Sequence, residues 1–156
     1  ILMFSPGLDL VFGRNAATSG NVFYRHDILR YSDNSVQDTD LANFGFNSLY
    51  SNGKTKFDAG VSYVETAQND ASTPGFIVPR DITTARALAE FGLTEKTALG
   101  AGARYEKSDF GIGGNYRDSS NFTLPLDVYF EHSPKLELSA GYRYRSNDVS
   151  GAGNPV

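Results

Sequence analysis

A ten-residue pattern occurs three times in this chain of 156 residues. The copies are KTKFDAGVSY from Lys54, KTALGAGARY from Lys96 and KLELSAGYRY from Lys135, so they start 42 and 39 residues apart. Each begins at the end of a short turn-like sequence, SNGK (51–54), TEKT (94–97) or HSPK (132–135), and Asn-Gly and Pro supply turn geometry in two of them. A repeat of about 40 residues built around a tight turn predicts a chain of hairpins.

Two-residue alternation of apolar and polar residues indicates strands rather than helices. It is clear in 56–63, 120–131 and 136–145, weaker in 83–93 and 97–107, present in 2–12, less clean in 41–50, and ambiguous in 21–31. The stretch TTARALAEFG also fits a helix, because Ala favours helices over strands. We therefore predict an all-β chain of about eight strands.

The predicted connections differ in length at the two ends of the strands. Short turns alternate with long polar segments at 32–39, 67–80 and 107–120. Short turns on one rim and long loops on the other are typical of an antiparallel up-and-down transmembrane β-barrel. We expect residues 1–156 to form a single barrel domain or a barrel fragment.

Aromatic residues recur at fixed places in the hairpins. One aromatic precedes each tight turn, and a Tyr follows each motif Lys by nine residues. Nine residues climb roughly 23 Å at a tilt near 40°, close to the apolar height of an outer-membrane barrel. We predict two aromatic girdles, one of Tyr50, Phe91 and Phe130 and the other of Tyr63, Tyr105 and Tyr144.

The segments FGLTEKTALGAGARYEKSD (91–109) and FEHSPKLELSAGYRYRSND (130–148) each join a tight turn to an Ala-Gly-x-Arg-Tyr strand and a polar loop. In this they resemble the outer-membrane β-barrels of Gram-negative bacteria, in particular the porin-like barrels associated with exopolysaccharide secretion. The resemblance implies the bacterial outer membrane, with lipid and lipopolysaccharide as partners. The family usually ends on a strand with a terminal aromatic, whereas this chain ends in SGAGNPV. We expect it to be part of a larger barrel.

The polar positions of the predicted strands carry charges of both signs, which suits a hydrated lumen. The predicted lumen-lining residues are Asp58, Arg86, Glu90, Arg104, Glu106, Asp127, Glu131, Arg143 and Arg145. They predict a porin-like channel for passive passage or export of polar solutes, polysaccharide among them. One alternative is a plugged structural or adhesive outer-membrane barrel that binds a partner through its long loops. The other is a soluble β-barrel carrier, since such proteins also alternate.

Two further features suggest partners. The segment PGFIVP would place Phe76, Ile77 and Val78 at a loop tip, where exposed apolar residues indicate partner binding or folding into the pore. The Ala-rich face of 83–103 is smooth enough to contact another barrel subunit.

Composition excludes several other classes. A net charge of -4 with scattered Lys and Arg argues against nucleic acid, and the absence of Cys rules out disulfides and thiolate metal sites. The two histidines, His26 and His132, form no recognisable Ser/His/Asp grouping, so we expect no enzyme. We find no sequence signal for a metal or cofactor site.

Overall fold

The computed structural model describes residues 1–32, 37–69, 76–111, 116–133 and 135–150. These residues form nine antiparallel strands in one sheet and contain no α-helix. The strands are β1 (Leu2–Phe4), β2 (Gly7–Phe12), β3 (Thr18–Arg30), β4 (Thr39–Ser51), β5 (Thr55–Asn69), β6 (Ile77–Gly92), β7 (Thr97–Phe110), β8 (Ser119–Ser133) and β9 (Leu136–Val149). The prediction of an all-β, antiparallel, up-and-down chain is confirmed.

From β3 onward, each strand pairs with the next strand in sequence. At one edge of the sheet, β1 and β2 both pair with β3, so nine strands occupy eight positions. The predicted single strand 2–12 is broken at Pro6, which has no N–H for a ladder but accepts a hydrogen bond from the His26 backbone N–H at 2.9 Å. The sheet is not closed, because β9 pairs with β8 alone among the described strands.

Strand β6 contradicts two predictions from the sequence, one about a helix and one about a loop tip. The helix considered for TTARALAEFG is wrong, because this stretch is hydrogen-bonded between β5 and β7. Ile77 and Val78 do not lie at a loop tip, since they pair with Asn69 and Gln68 at the start of β6. The strands extend into all three predicted polar loops, so the connections are shorter than predicted: β5 runs to Asn69, and β7 runs to Phe110.

The turns at the other rim close through their own side chains. At SNGK, the Asn52 side-chain oxygen accepts hydrogen bonds from the backbone N–H groups of Lys54 (3.1 Å) and Thr55 (2.7 Å). Gly53 has a φ of 88°, a conformation that residues with a Cβ rarely adopt. At TEKT, the Thr94 hydroxyl accepts from the Lys96 N–H at 3.2 Å. These contacts fix the register of the hairpins.

The described residues contain almost no conventional core. Val78 is the one fully buried hydrophobic side chain among them, whereas large apolar residues along all nine strands are exposed. The described part of the chain has no helix long and apolar enough to span a membrane. In a soluble domain large apolar side chains are buried in a core, whereas in this sheet most of them are exposed.

Candidate functional site

The sheet has two chemically distinct faces, which strand β8 defines. Its burial alternates from Phe122 to Phe130: Leu126 and its even-numbered neighbours are exposed, while Asp127 and its odd-numbered neighbours are half-buried. We call the face that carries Leu126 the outer face and the face that carries Asp127 the inner face. Cross-strand partners share a face, so the strand register assigns every strand residue to one of the two.

The outer face carries a band without a single charged side chain. From β2 to β9 the described strand residues in this band are Leu8, Leu10, Phe12, Gly20, Val22, Tyr24, Phe44, Phe46, Ser48, Tyr50, Phe57, Ala59, Val61, Tyr63, Ala85, Ala87, Ala89, Phe91, Leu99, Ala101, Ala103, Tyr105, Phe122, Leu124, Leu126, Val128, Phe130, Leu138, Ala140, Tyr142 and Tyr144. Charges return on this face between the band and the long loops, at Arg30, Asp40, Glu65, Asp81, Lys107, Asp109 and Asp148.

Both predicted aromatic rows step obliquely across the sheet. The upper row is the row of tyrosines nearer the long loops. In it, Tyr63 faces Thr83 of β6, whereas Tyr105 faces Ala85, which lies two residues nearer the short turns. The lower row is the row of aromatic residues nearer the short turns. In it, Tyr50 faces Phe57 of β5, whereas Phe91 faces Thr55, again two residues nearer the short turns. The same step recurs at the next hairpin, from Phe122 to Leu124 above and from Leu99 to Thr97 below.

This stagger fixes the tilt of the strands relative to the band. The rows shift by two residues along the strand for every two strands crossed. At roughly 3.3 Å per residue and 4.8 Å between strands, this shift corresponds to a strand tilt of about 35°. Strand β8 crosses the band between Phe122 and Phe130. At that tilt the band is about 22 Å high, close to the roughly 25 Å of membrane barrels.

The inner face lines an open cavity of about 710 Å³. Eight of the nine charged residues predicted to line a lumen lie around it, all except Glu131. Glu131 lies near the turn, where a bulge between Glu131 and Ser133 interrupts the pairing with β9. Because the cavity is on the charged face, the sheet curves toward that face. Whether this cavity belongs to a lumen stays a prediction.

Lys56, Asn121, Thr123 and Tyr129 also line the cavity and were not among the predicted residues. Lys56 lies two residues before Asp58, and the other three lie at the same alternate positions of β8 as Asp127. The two-residue period was therefore sufficient to find them.

Three ion pairs join neighbouring positions of the inner wall. Their shortest contacts are Arg86 Nε to Asp58 Oδ1 at 2.7 Å, Lys56 Nζ to Glu90 Oε1 at 3.1 Å, and Arg104 to Glu106 at 3.2 Å. The Arg86 guanidinium also donates to the Asn47 side-chain oxygen at 3.3 Å. These contacts hold the charged groups along the wall.

Inward glycines make room for larger cross-strand neighbours. A Cβ at Gly102 would collide with the Leu88 side chain and lie 2.8 Å from the Ala87 carbonyl oxygen. A Cβ at Gly141 would collide with the Asp127 carboxylate. The motif glycine is thus required by close packing on the inner face.

A small cluster covers the inner face near the loop rim. Arg80 Nε donates to the Ser108 hydroxyl at 2.7 Å, and its guanidinium lies over the Phe110 ring at 5.3 Å. Val78, fully buried, lies on the same face of β6 as Arg80. Phe76, just before β6, is exposed, and its role in partner binding stays a prediction.

The predicted subunit contact corresponds to a smooth patch on the outer face. The register places Ala87 opposite Ala103 and Ala89 opposite Ala101, with Ala85 next to them. The contact with another barrel subunit through 83–103 stays a prediction.

The loop rim outside the band carries an exposed bidentate ion pair. Arg30 approaches Asp40 at 2.8 Å, with a second contact of 3.1 Å. The hydrogen bond from Arg30 lowers the pKa of the Asp40 carboxyl below its usual value.

The described residues contain no cluster of three or more His, Asp or Glu arranged to hold a metal ion. Fold and site together define a class: an antiparallel up-and-down sheet with an uncharged band on its outer face and a charged, concave inner face. No family model, curated protein or solved structure matches the chain.

Proposed function

We propose that this chain forms the wall of a porin-like β-barrel in the outer membrane of a Gram-negative bacterium, with its outer face in lipid and its inner face along a path for polar solutes. The observation that carries the proposal is the combination of an exposed, uncharged band on the convex side with a charged cavity on the concave side. A soluble carrier has the opposite arrangement, because it turns its apolar face toward the ligand.

The band has the dimensions and borders that a bilayer demands. Its estimated height and tilt fit membrane barrels, and Tyr at a border places a ring in lipid and a hydroxyl among headgroups. Exposed apolar surface on this scale is rare on soluble monomers. Charges beyond the upper tyrosines, such as Glu65 and Lys107, would lie among lipopolysaccharide headgroups.

The passage of solutes is supported by the inner wall. Charged groups of both signs line the cavity, and three of the anions are paired with wall cations. Such a wall offers polar solutes, polysaccharide among them, hydrogen-bonding partners along the path.

The orientation of the faces is tested with single cysteines, since the natural chain has none. We expect Leu126→Cys on the outer face to resist a charged maleimide in lipid vesicles, and Thr123→Cys on the inner face to react. Both should react in urea. Equal labelling of the two variants in vesicles would exclude the membrane arrangement.

A second candidate is a plugged barrel with a structural or adhesive role. It is favoured by the eight strand positions, because a barrel closed at eight strands has room only for its own side chains. Planar-bilayer recording separates the two candidates. A current from protein that shows the expected cysteine pattern supports passage, and insertion without current at any voltage supports the plugged barrel.

A further inference from the structure

Four arginines of the cavity lie in two adjacent cross-strand rows. In the first row, Arg86 of β6 faces Arg104 of β7, Arg104 faces Thr123 of β8, and Thr123 faces Arg145 of β9. Arg143 lies two residues before Arg145 and faces Pro125. Like charges in directly opposite positions destabilise a sheet unless they are neutralised.

The two ends of this row differ in how their charges are compensated. Arg86 is paired with Asp58 and Arg104 with Glu106. Among the described residues, no carboxylate lies within ion-pair distance of Arg143 or Arg145. The β9 end of the cavity therefore has uncompensated positive charge.

The other charges of the cavity do not cancel this excess. The lining has five cations and four carboxylates, and the three wall pairs use three of each. The charged lining residues outside these three pairs are two cations, Arg143 and Arg145, and one carboxylate, Asp127. Asp127 faces Gly100 and Gly141 rather than an arginine.

From this arrangement we infer that the inner face has an anion-binding subsite between Arg104 and Arg145, with Arg143 beside it. This inference rests on the proposed function and names the class of solute: molecules with carboxylate, sulfate or phosphate groups. Arg104 and Arg145 flank Thr123, so their Cα atoms are about 10 Å apart, a distance that arginine side chains are long enough to span from both sides of one anionic group. Guanidinium binds such oxygens with two parallel hydrogen bonds, and the Thr123 hydroxyl adds a donor.

The first test is ion selectivity in planar bilayers under a KCl gradient. We expect the natural chain to pass anions in preference to cations, and the double variant Arg143→Gln/Arg145→Gln to lower the anion-to-cation permeability ratio at least about twofold. Lys54→Gln is the control: it removes one positive charge at an exposed turn outside the cavity and should leave the ratio unchanged.

The second test is the binding of inorganic phosphate. Phosphate should reduce the KCl current of the natural chain. Arg143→Lys/Arg145→Lys should keep the selectivity but weaken the phosphate block, because Lys keeps the charge and loses the planar fork. A current that prefers cations, or a ratio that is the same in the double Gln variant, overturns the subsite and leaves the proposed channel in place.

Absence of current contradicts the channel, and the subsite is then tested by calorimetric titration of phosphate into the protein in detergent micelles. Saturable heat in the natural chain that disappears in the double Gln variant supports the subsite in a plugged barrel. No saturable heat in the natural chain overturns it.

Discussion

The two faces of β8 follow opposite rules within one strand. On the outer face, Phe122, Leu124, Leu126, Val128 and Phe130 are exposed, while Thr123, Pro125, Asp127 and Tyr129 on the inner face are half-buried. In a soluble sheet the apolar face would be the buried one. The difference teaches that alternation locates the faces of a strand, whereas the surroundings decide which face is inside.

The two faces also differ in what they demand of each residue. The outer positions of the repeat are uncharged in all three copies, and some of them accept different residues: Phe57 corresponds to Leu99 and Leu138. The inner positions depend on their individual neighbours, as Gly102 does on Leu88. Substitutions should therefore act through charge on the outer face and through shape and pairing on the inner face.

The largest effect should come from a charge in the middle of the outer band. Leu126→Arg places a guanidinium midway between Phe122 and Phe130, which costs about 2–4 kcal/mol at the centre of a bilayer. Asn121→Arg, on the inner face opposite Glu106, should change stability little. Urea unfolding from lipid vesicles, followed by tyrosine fluorescence, measures both. Equal costs for the two variants would remove the distinction between the faces.

A smaller effect is expected from added volume at adjacent positions of β7. Gly102→Val on the inner face collides with Leu88 and the Ala87 carbonyl, and overpacking of this kind costs about 1–3 kcal/mol. Ala103→Val enlarges a side chain on the outer face, which contacts lipid in the proposed arrangement, and should be nearly neutral. The same unfolding assay compares them. A larger loss for Ala103→Val would indicate that this face packs against protein, as the predicted subunit contact requires.

The faces were predictable from sequence because they depend on a period of two, which needs no knowledge of partners. The strand ends were not, because the polar residues near the loops do not reveal how far pairing continues: Ile77 and Val78 are in β6 since Asn69 and Gln68 extend β5. The break at Pro6 was missed within an alternating run.

The cross-strand register could not be predicted from the sequence either. Arg86 and Arg104 were both predicted for the inner face, but their direct opposition follows from the pairing of β6 with β7. The row that ends at Arg145 follows likewise from register. Glu131 shares the inner-face parity of Asp127, yet a local bulge near the turn separates it from the cavity.

Each inner ion pair should contribute less to the free energy of unfolding than Leu126→Arg or Gly102→Val removes. Arg86 and Asp58 are 42% and 35% exposed at their side chains, and exposed pairs couple by about 0.2–1 kcal/mol. A double-mutant cycle with Arg86→Gln and Asp58→Asn measures this coupling, and the Arg104–Glu106 pair serves as a second case. A coupling well above 1 kcal/mol would mean that the wall is drier than its exposure indicates.

The smallest effect should appear at the loop rim, outside the band. Because Arg30 lowers the pKa of Asp40, folding favours the charged carboxylate. This contribution to stability is fully present above the unfolded pKa of about 3.9 and is lost as the pH falls through the lower folded value. The stability difference between the natural chain and Asp40→Asn should therefore shrink as the pH is lowered from about 6 to below 3.9. Asp38→Asn at the same rim is the control, and a difference for Asp40→Asn that persists unchanged in acid would show that the ion pair is not its source.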